Sequence, residues 1–529
     1  MDDPRGGSSP PAAGAMAEAI TAAVHHGEKK HRIQRELEAN LEYIRRTLGA
    51  GETFDLLIKP SRFAGRDAVL VGIDGLVKTD VLLRIMQALA VFKPDAPAQE
   101  DERLWFTQVF VEGIGFIEVD PAETLDDVID KVLMGPVALL VDGLDHAFVI
   151  DVRTYPGRGI QEPALEKVLR GPHDGFTETL VHNTALIRRR LRDPQFRAEV
   201  LRLGRRSKTD VALVYLKDVA NPELVKLVRE RLKEVDTDAI PMAESAVVEH
   251  LMGPRRWWNP FPLVRFTERP DVAAVHLIEG HVLVLVDTSP SAIILPTTLF
   301  HHLQHAEEFH ENATVGTWAR LIRYAGVLLS WLGPPLWVAL VLDKGQLTGL
   351  PDQLVRILGP RKPAGIGLEW QFILGEVGIE LIRLALIHTP EALSTSLGII
   401  GAVLIGQLAV EVGLFTNEAI LYIALAALGT FATPSVELAQ AFRLLRVVLL
   451  ILAGSLGIPG FLIGLLLSFV LMLNTRSFGV PYLWPLVPFD GKVLVRMLLR
   501  QPMTVRVARD RTFPRPVREG EEAGGTQPA

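Results

Sequence analysis

Four long segments without a single ionised side chain limit what this chain can become: Tyr324–Leu342, Ala392–Val410, Ala419–Val436 and Val447–Leu473. A helix rises about 1.5 Å per residue, so about 20 apolar residues cross the ~30 Å hydrocarbon layer of a membrane. Core helices of soluble proteins seldom stay uncharged over such lengths. The segments predict an all-α transmembrane helical domain over 319–489, with four long spans, embedded in a lipid bilayer.

A fifth segment, Trp370 to Ile387, is interrupted by Glu376, Glu380 and Arg383. One charge at the centre of a lone lipid-facing helix costs roughly 2.5 to 3.5 kcal/mol, so this polar amphipathic segment is not a simple lipid-exposed span. With Glu369 the charges follow spacings of seven, four and three, which places them on one helical face. That face has to meet water, a partner helix or a pore. Either the segment lies at or re-enters from the membrane surface, or its polar face lines an aqueous path. An ion pair between Glu380 and Arg383 is the plain structural reading. Gln407 and Glu411, one turn apart, form a second polar site near the end of a neighbouring span. On the second of these readings Glu376, Glu380, Arg383, Gln407 and Glu411 are the candidates for lining the path, an ion pathway if the chain conducts.

Charges flanking the spans bear on orientation. Arg320 and Arg323 precede the first span, and an arginine-rich stretch follows the last. Both ends are therefore expected on the cytoplasmic side with an even number of crossings, although Arg443 and Arg446 then fall outside. Trp318, Trp331, Trp337, Trp370 and Trp484 near the span ends fit interfacial anchoring. A row of small residues, Ser394, Gly398, Ala402 and Gly406, would let helices approach closely.

The amino-terminal region alternates β-branched runs with helical stretches, as an α/β region does. The expected organisation is a disordered tail over 1–15, an amphipathic helix over 16–50 and a cytoplasmic α/β region over 51–318. A basic cytoplasmic tail is expected over 490–529. The helix carries Ile33, Leu37, Leu41, Ile44 and Leu48 on a stripe expected to dock on the same chain. Strands are predicted at Ala68–Ile73, Val137–Val141, Ala147–Val152 and Val211–Leu216, and helices at 79–91, 123–133, 176–192, 222–234 and 242–252. Two hairpins are predicted, one turning at Asp142-Gly143 and one over Val272–Val286 turning at Glu279-Gly280. A proline-rich break at 253–262 is either a boundary between two subdomains or a rigid loop.

Chemistry is mostly excluded. The chain has no cysteine, which removes disulfides, thiolate metal sites and a cysteine nucleophile. A net charge of -7 gives no expectation of nucleic acid as a partner. Gly204 to Thr209 lacks the spacing of a phosphate loop, Gly113-Ile-Gly115 lacks a third glycine, and no nucleophile elbow or zinc-protease motif occurs. No enzyme activity, cofactor or metal is assigned. His301 and His305, spaced one turn apart, could hold a divalent ion, but an amphipathic helix at the membrane surface accounts for that run better. Arg188, Arg189, Arg190 and Arg192 either touch anionic headgroups or form a salt-bridged helix face.

Particular strings are more specific. Arg158 to Pro163, Arg170 to Glu178, Asn183, Leu186 to Arg190, Phe261-Pro262, Thr267 to Asp271, Glu279-Gly280, the run ending at Pro290 and Ser477 to Tyr482 resemble the A subunits of GerA-type spore germinant receptors. The match covers roughly 55 to 490. The resemblance implies a membrane component of the spore germination apparatus, in the inner membrane of bacterial spores, working as a homo-oligomer with other spore membrane proteins. It implies an ion-conducting or gating subunit; the alternatives are an accessory of dipicolinate and calcium transport, or a non-conducting scaffold.

Overall fold

The computed structural model describes residues 31–63, 66–91, 119–155, 166, 168, 171–240, 242–253, 258–343, 359–361, 364–387, 398–399, 401, 403 and 408–500. The expected 1–15 tail, the Arg158–Pro163 string, much of the Ala392–Val410 segment, Gln407 and the tail beyond residue 500 lie outside them. The chain divides into two compact units, one of residues 1–155 with 192–194 and one of the remainder.

In the first unit, helix α1 (Leu37–Leu48) buries Leu41, Ile44 and Leu48. It is followed by strands β1 (Leu56–Phe63) and β2 (Arg66–Ile73), helix α2 (Thr79–Val91), β3 (Val119–Ala122), α3 (Leu125–Met134), β4 (Val137–Val141) and β5 (Ala147–Ile150). The helix expected over 16–50 starts only at Leu37: residues 16–30 lie outside the described residues, and Ile33 precedes the helix because the backbone around it pairs with Glu123 and Leu125. Leu41, Ile44 and Leu48 are buried on the helix, which docks on α3 of the same unit. Thr124 caps α3, its side chain accepting the Asp127 N–H. The strands form one antiparallel sheet in the order β1-β2-β4-β5-β3. β4 and β5 are joined through Asp142-Gly143, where Gly143 has φ +86.

The second unit opens with α4 (Leu180–Arg190), then β6 (Phe196–Leu203), β7 (Thr209–Leu216), α5 (Pro222–Lys233), α6 (Ala243–Met252), β8 (Arg265–Thr267), α7 (Pro270–Ile278), β9 (Val282–Val286) and β10 (Ala292–Leu295). Its sheet order is β6-β7-β9-β10-β8, again antiparallel throughout. Strand for strand this is the order of the first sheet. Among the described residues each copy runs hairpin, helical segment (one helix in the first copy, α5 and α6 in the second), single strand, helix, hairpin, and the closing segments Val137–Ile150 and Val282–Leu295 have equal length.

Two expectations are corrected here. Val272–Val286 is not a hairpin: Pro270 opens α7, and strand structure starts only at Val282. Proline is tolerated at the first helical turn and Asp271 beside it favours that end, which outweighs the β-branched composition. The 253–262 break does not separate subdomains, because β7 before it and β8 to β10 after it belong to one sheet. The division into units falls at Tyr155–Pro156 instead.

Two short helices, α8 (Leu299–Leu303) and α9 (Glu307–His310), lead into the helical region: α10 (Ala313–Asp343), α11 (Leu368–Ile387), α12 (Asn417–Phe431), α13 (Val436–Leu456) and α14 (Ile458–Asn474). A two-residue ladder of β11 (Arg476–Ser477) and β12 (Val480–Pro481) and helix α15 (Gly491–Leu498) follow.

The expectation of four long uncharged spans needs correcting. Among the described residues only α10 is both long and apolar enough to cross a membrane. Ala419–Val436 is interrupted: α12 ends at Phe431, and Ser435, after Pro434, caps α13 by accepting the Leu438 N–H. The 15 residues of α12 span about 22 Å. Val447–Leu473 is also interrupted, at Gly457 (φ +64) followed by Pro459, so α13 and α14 form a helical hairpin. A Cβ on Gly460 would lie 1.9 Å from the Leu452 carbonyl oxygen, and one on Gly464 2.8 Å from Leu449. These opposed contacts show two helices running side by side in opposite directions.

Trp331 and Trp337 are not interfacial anchors. Both are buried, Trp331 against Phe442 at 5.0 Å between ring centroids and Trp337 between Phe372 and Tyr422 at 5.6 and 5.0 Å.

Candidate functional site

The polar face of α11 meets a partner helix. Glu369 packs on α13 at Gly454, where a Cβ would lie 2.5 Å from its side chain. Lower on the same pair of helices, Glu376 receives Arg446 at 2.7 Å and Arg443 at 3.3 Å. Glu380 is paired with both Arg443 and Arg383. The seven-four-three spacing on α11 is thus answered by Gly454, Arg446 and Arg443, read backwards along an antiparallel neighbour.

Arg446 extends the network to two more helices. It donates to the Ser330 carbonyl and hydroxyl on α10, both at 2.7 Å, and Ser330 lies 2.9 Å from the Thr430 hydroxyl on α12. Glu376, Arg443 and Arg446 are all buried, Arg446 with 2% of its surface exposed. Charges withdrawn from solvent in this way require partners, and truncating one partner strands the others. Three guanidiniums face two carboxylates, so the cluster carries one excess positive charge.

The sequence thus locates Glu376, Glu380 and Arg383 in one network, and the Glu380–Arg383 pair is present. Glu411 stands apart. It is exposed at the short helical turn Ala409–Glu411, and Gln407 lies outside the described residues. Sequence reasoning put Arg443 and Arg446 between two spans on the side away from the cytoplasm and did not reach Ser330 or Thr430. The available signal was two arginines at a spacing of three inside an otherwise apolar run, complementary to the acidic face of α11.

A second buried network secures the start of α10. Glu308 on α9 is 2% exposed and holds Arg320, at 2.6 Å, and Arg323. Arg320 also donates to the Met497 carbonyl at 2.9 Å and Tyr324 to the same oxygen at 3.0 Å, joining α15 to α10. In the α/β region, Arg190 grips Asp174 with two bonds, and buried Arg188 lies 4.3 Å over the Phe196 ring. These two arginines of the basic run are therefore structural. His301 and His305 do not share a helical face, since α8 ends at Leu303.

Thr267 and Arg269, from the family-like strings, hold Glu166. Glu166 accepts from Arg265 at 2.9 Å and from Thr267, and Arg269 donates to the Glu166 and Pro172 carbonyls at 3.2 and 3.1 Å.

Comparison with known proteins bears on the whole chain. The family described as Bacillus/Clostridium GerA spore germination protein matches residues 42–512. Stage V sporulation protein AF of Bacillus subtilis (strain 168) is 44% identical over 475 residues, covering 90% of this chain and 94% of that protein. An uncharacterized membrane protein of the same organism, YfkQ, is 28% identical over 91% of this chain and 92% of its own. The crystal structure of the N-terminal domain of the A subunit of the Bacillus megaterium spore germinant receptor GerK3 aligns at 28% identity with a TM-score of 0.39, covering 50% of this chain and 97% of that one. The relatives bear sporulation, germination or membrane-protein names rather than enzyme names, and this chain belongs to the GerA family of spore germination proteins.

Proposed function

We propose that the chain is a multi-pass membrane subunit of the spore germination apparatus that works as an oligomer to gate or conduct ions. The observation that carries this reading is the inverted polarity of the helical region. Leu421, Leu428, Phe431, Leu444, Ile451 and Leu466 are exposed, whereas Glu376, Arg443 and Arg446 are buried. Apolar outside and ionised inside is the arrangement suited to lipid, where charged residues turn towards a bundle interior or a pathway. The membrane-protein name of one long relative supports the same placement. On this reading α10, α11, α13 and α14 cross the inner membrane of the spore, the amino-terminal units face the cytoplasm, and neighbouring copies and other spore membrane proteins complete the assembly.

Glu376 and Glu380 are closed by guanidiniums, so a cation reaching them has to displace Arg443. The ion pairs therefore act as the shut state of a gate. Potassium release from spores carrying Glu376→Ala or Glu380→Ala at normal protein level tests this. Altered release is expected; unchanged release in both removes them from the pathway.

The excess positive charge favours one second reading, a path for an anion such as dipicolinate moving with calcium. A deletion strain that fails in dipicolinate uptake while ion release stays normal would select it. A purified oligomer that never conducts in a bilayer under activating conditions would instead make the chain a scaffold.

A further inference from the structure

The second α/β copy carries a feature that the shared fold does not require. In both copies the helix before the closing hairpin ends at a left-handed glycine, Gly135 or Gly280, whose N–H returns to Val132 or Leu277. In the second copy the His281 N–H also closes on the His276 carbonyl at 2.9 Å, completing a Schellman motif. That motif presses together the side chains on either side of the turn, ordinarily as an apolar contact. Here they are two imidazoles, with ring centroids 4.9 Å apart. Counted from its glycine, the first copy has Lys131 and Pro136 at these places and Met134 where the second has Glu279.

The three groups are arranged as ligands. One ligand atom from each of His276, Glu279 and His281 lies within 4.8 Å of the others, and Glu279 Oε2 is 3.8 Å from His281 Nε2. Atoms bound to one tetrahedral zinc at ~2.0–2.1 Å stand roughly 3.3 Å apart, so closure needs a shift of up to about 1.5 Å, to which half-exposed Glu279 can contribute. His276 Nδ1 lies 2.8 Å from the Val272 carbonyl. A carbonyl only accepts, so the proton sits on Nδ1 and the lone pair on Nε2, which is buried without a partner among the described residues. Such an outer contact sets the tautomer of a metal-binding imidazole. His301 is the fourth member, its ring 4.9 Å from His281. Its Nδ1 accepts the Thr298 N–H at 3.1 Å, which leaves the proton on Nε2, also buried without a partner.

We propose that His276, Glu279 and His281 bind a divalent transition metal of the zinc class, with a water as fourth ligand and His301 Nε2–H donating to that water or to the carboxylate. Two imidazoles and one carboxylate select such an ion over calcium or magnesium, which prefer oxygen ligands. The metal would pin the turn between α7 and β9. This inference does not depend on ion conduction.

The test uses the full-length chain in detergent, stripped with a chelator, dialysed and titrated with cobalt(II) and then zinc(II). One equivalent of cobalt with the visible absorption of a tetrahedral site, displaced by zinc, is expected. Glu279→Gln, a change at a half-exposed turn, and His276→Gln should each weaken binding at least about tenfold, and His301→Gln by about 10- to 100-fold. Should the histidine variants fail to fold, the unaltered chain remains decisive, because zinc should raise its Tm and chelator reverse the rise. Sub-stoichiometric binding, a six-coordinate spectrum, equal binding by Glu279→Gln, or a Tm indifferent to zinc would overturn the proposal.

Discussion

Arg446 touches three other helices through Glu376, Ser330 and the Ser330–Thr430 contact, so the charge of one residue is shared across the bundle. Glu376→Gln would leave two buried guanidiniums short of a counter-charge. It should lower stability by about 3–5 kcal/mol, read as a lower unfolding midpoint in detergent. Replacing Glu376 and Arg446 together with apolar residues of similar volume should recover some of that loss. A mutation without charge should be comparably damaging: a Cβ on Gly429 would lie 2.2 Å from the Gly326 carbonyl oxygen and 2.7 Å from Ser330. Gly429→Ala is therefore expected to cost about 1–3 kcal/mol, measured in the same way. At this scale the sequence revealed half the site. Carboxylates inside an apolar run stand out, whereas pairing across more than sixty residues depends on which helices become neighbours, which periodicity along one helix does not encode.

Elements were legible where local signals agreed. Asn221-Pro222 opens α5 as its cap chemistry predicts, and Asp142-Gly143 turns the β4–β5 hairpin. Where composition and capping disagreed, capping prevailed, as in α7, whose Val272-Ala-Ala-Val-His sequence is rich enough in β-branched residues to pass for a strand. The same applies to the long apolar runs. Gly457 with Pro459, and Pro434 with Ser435, end helices within segments that hydropathy alone treats as continuous. Because Gly280 has φ +95 and carries the cap of α7, Gly280→Ala should destabilise the chain by about 1–2 kcal/mol. Denaturant titration of the full chain, compared with Gly479→Ala in the turn between β11 and β12, where φ is +90 and a Cβ meets nothing within 4 Å, separates the role of the cap from that of backbone strain.

At the scale of the whole molecule, acid should act through buried imidazoles outside the helical bundle. Burial pushes His302 down to about 3, from a usual value of 6.5. Between those two pH values the unfolded chain takes up a proton that the folded one refuses. Its contribution is therefore full above 6.5 and falls by about 1.4 kcal/mol per pH unit on acidification, until about pH 3. Unfolding at pH 7 and at pH 5.5 should differ less for His302→Asn than for the unaltered chain. The duplication of the α/β unit was present in the sequence as two equal-length closing segments with a similar apolar pattern, yet the residues outside those strands differ enough to hide it. Pairing α11 with α13 also constrains how the chain is made. On the proposed membrane placement, α11 emerges first from the ribosome and would enter lipid with Glu376 unpaired and Glu380 held by Arg383 alone, while the arginines of α13 that answer them are still some sixty residues from synthesis. Stable insertion of the earlier helix therefore has to wait for the later one, so biogenesis would proceed by releasing the two together rather than one by one.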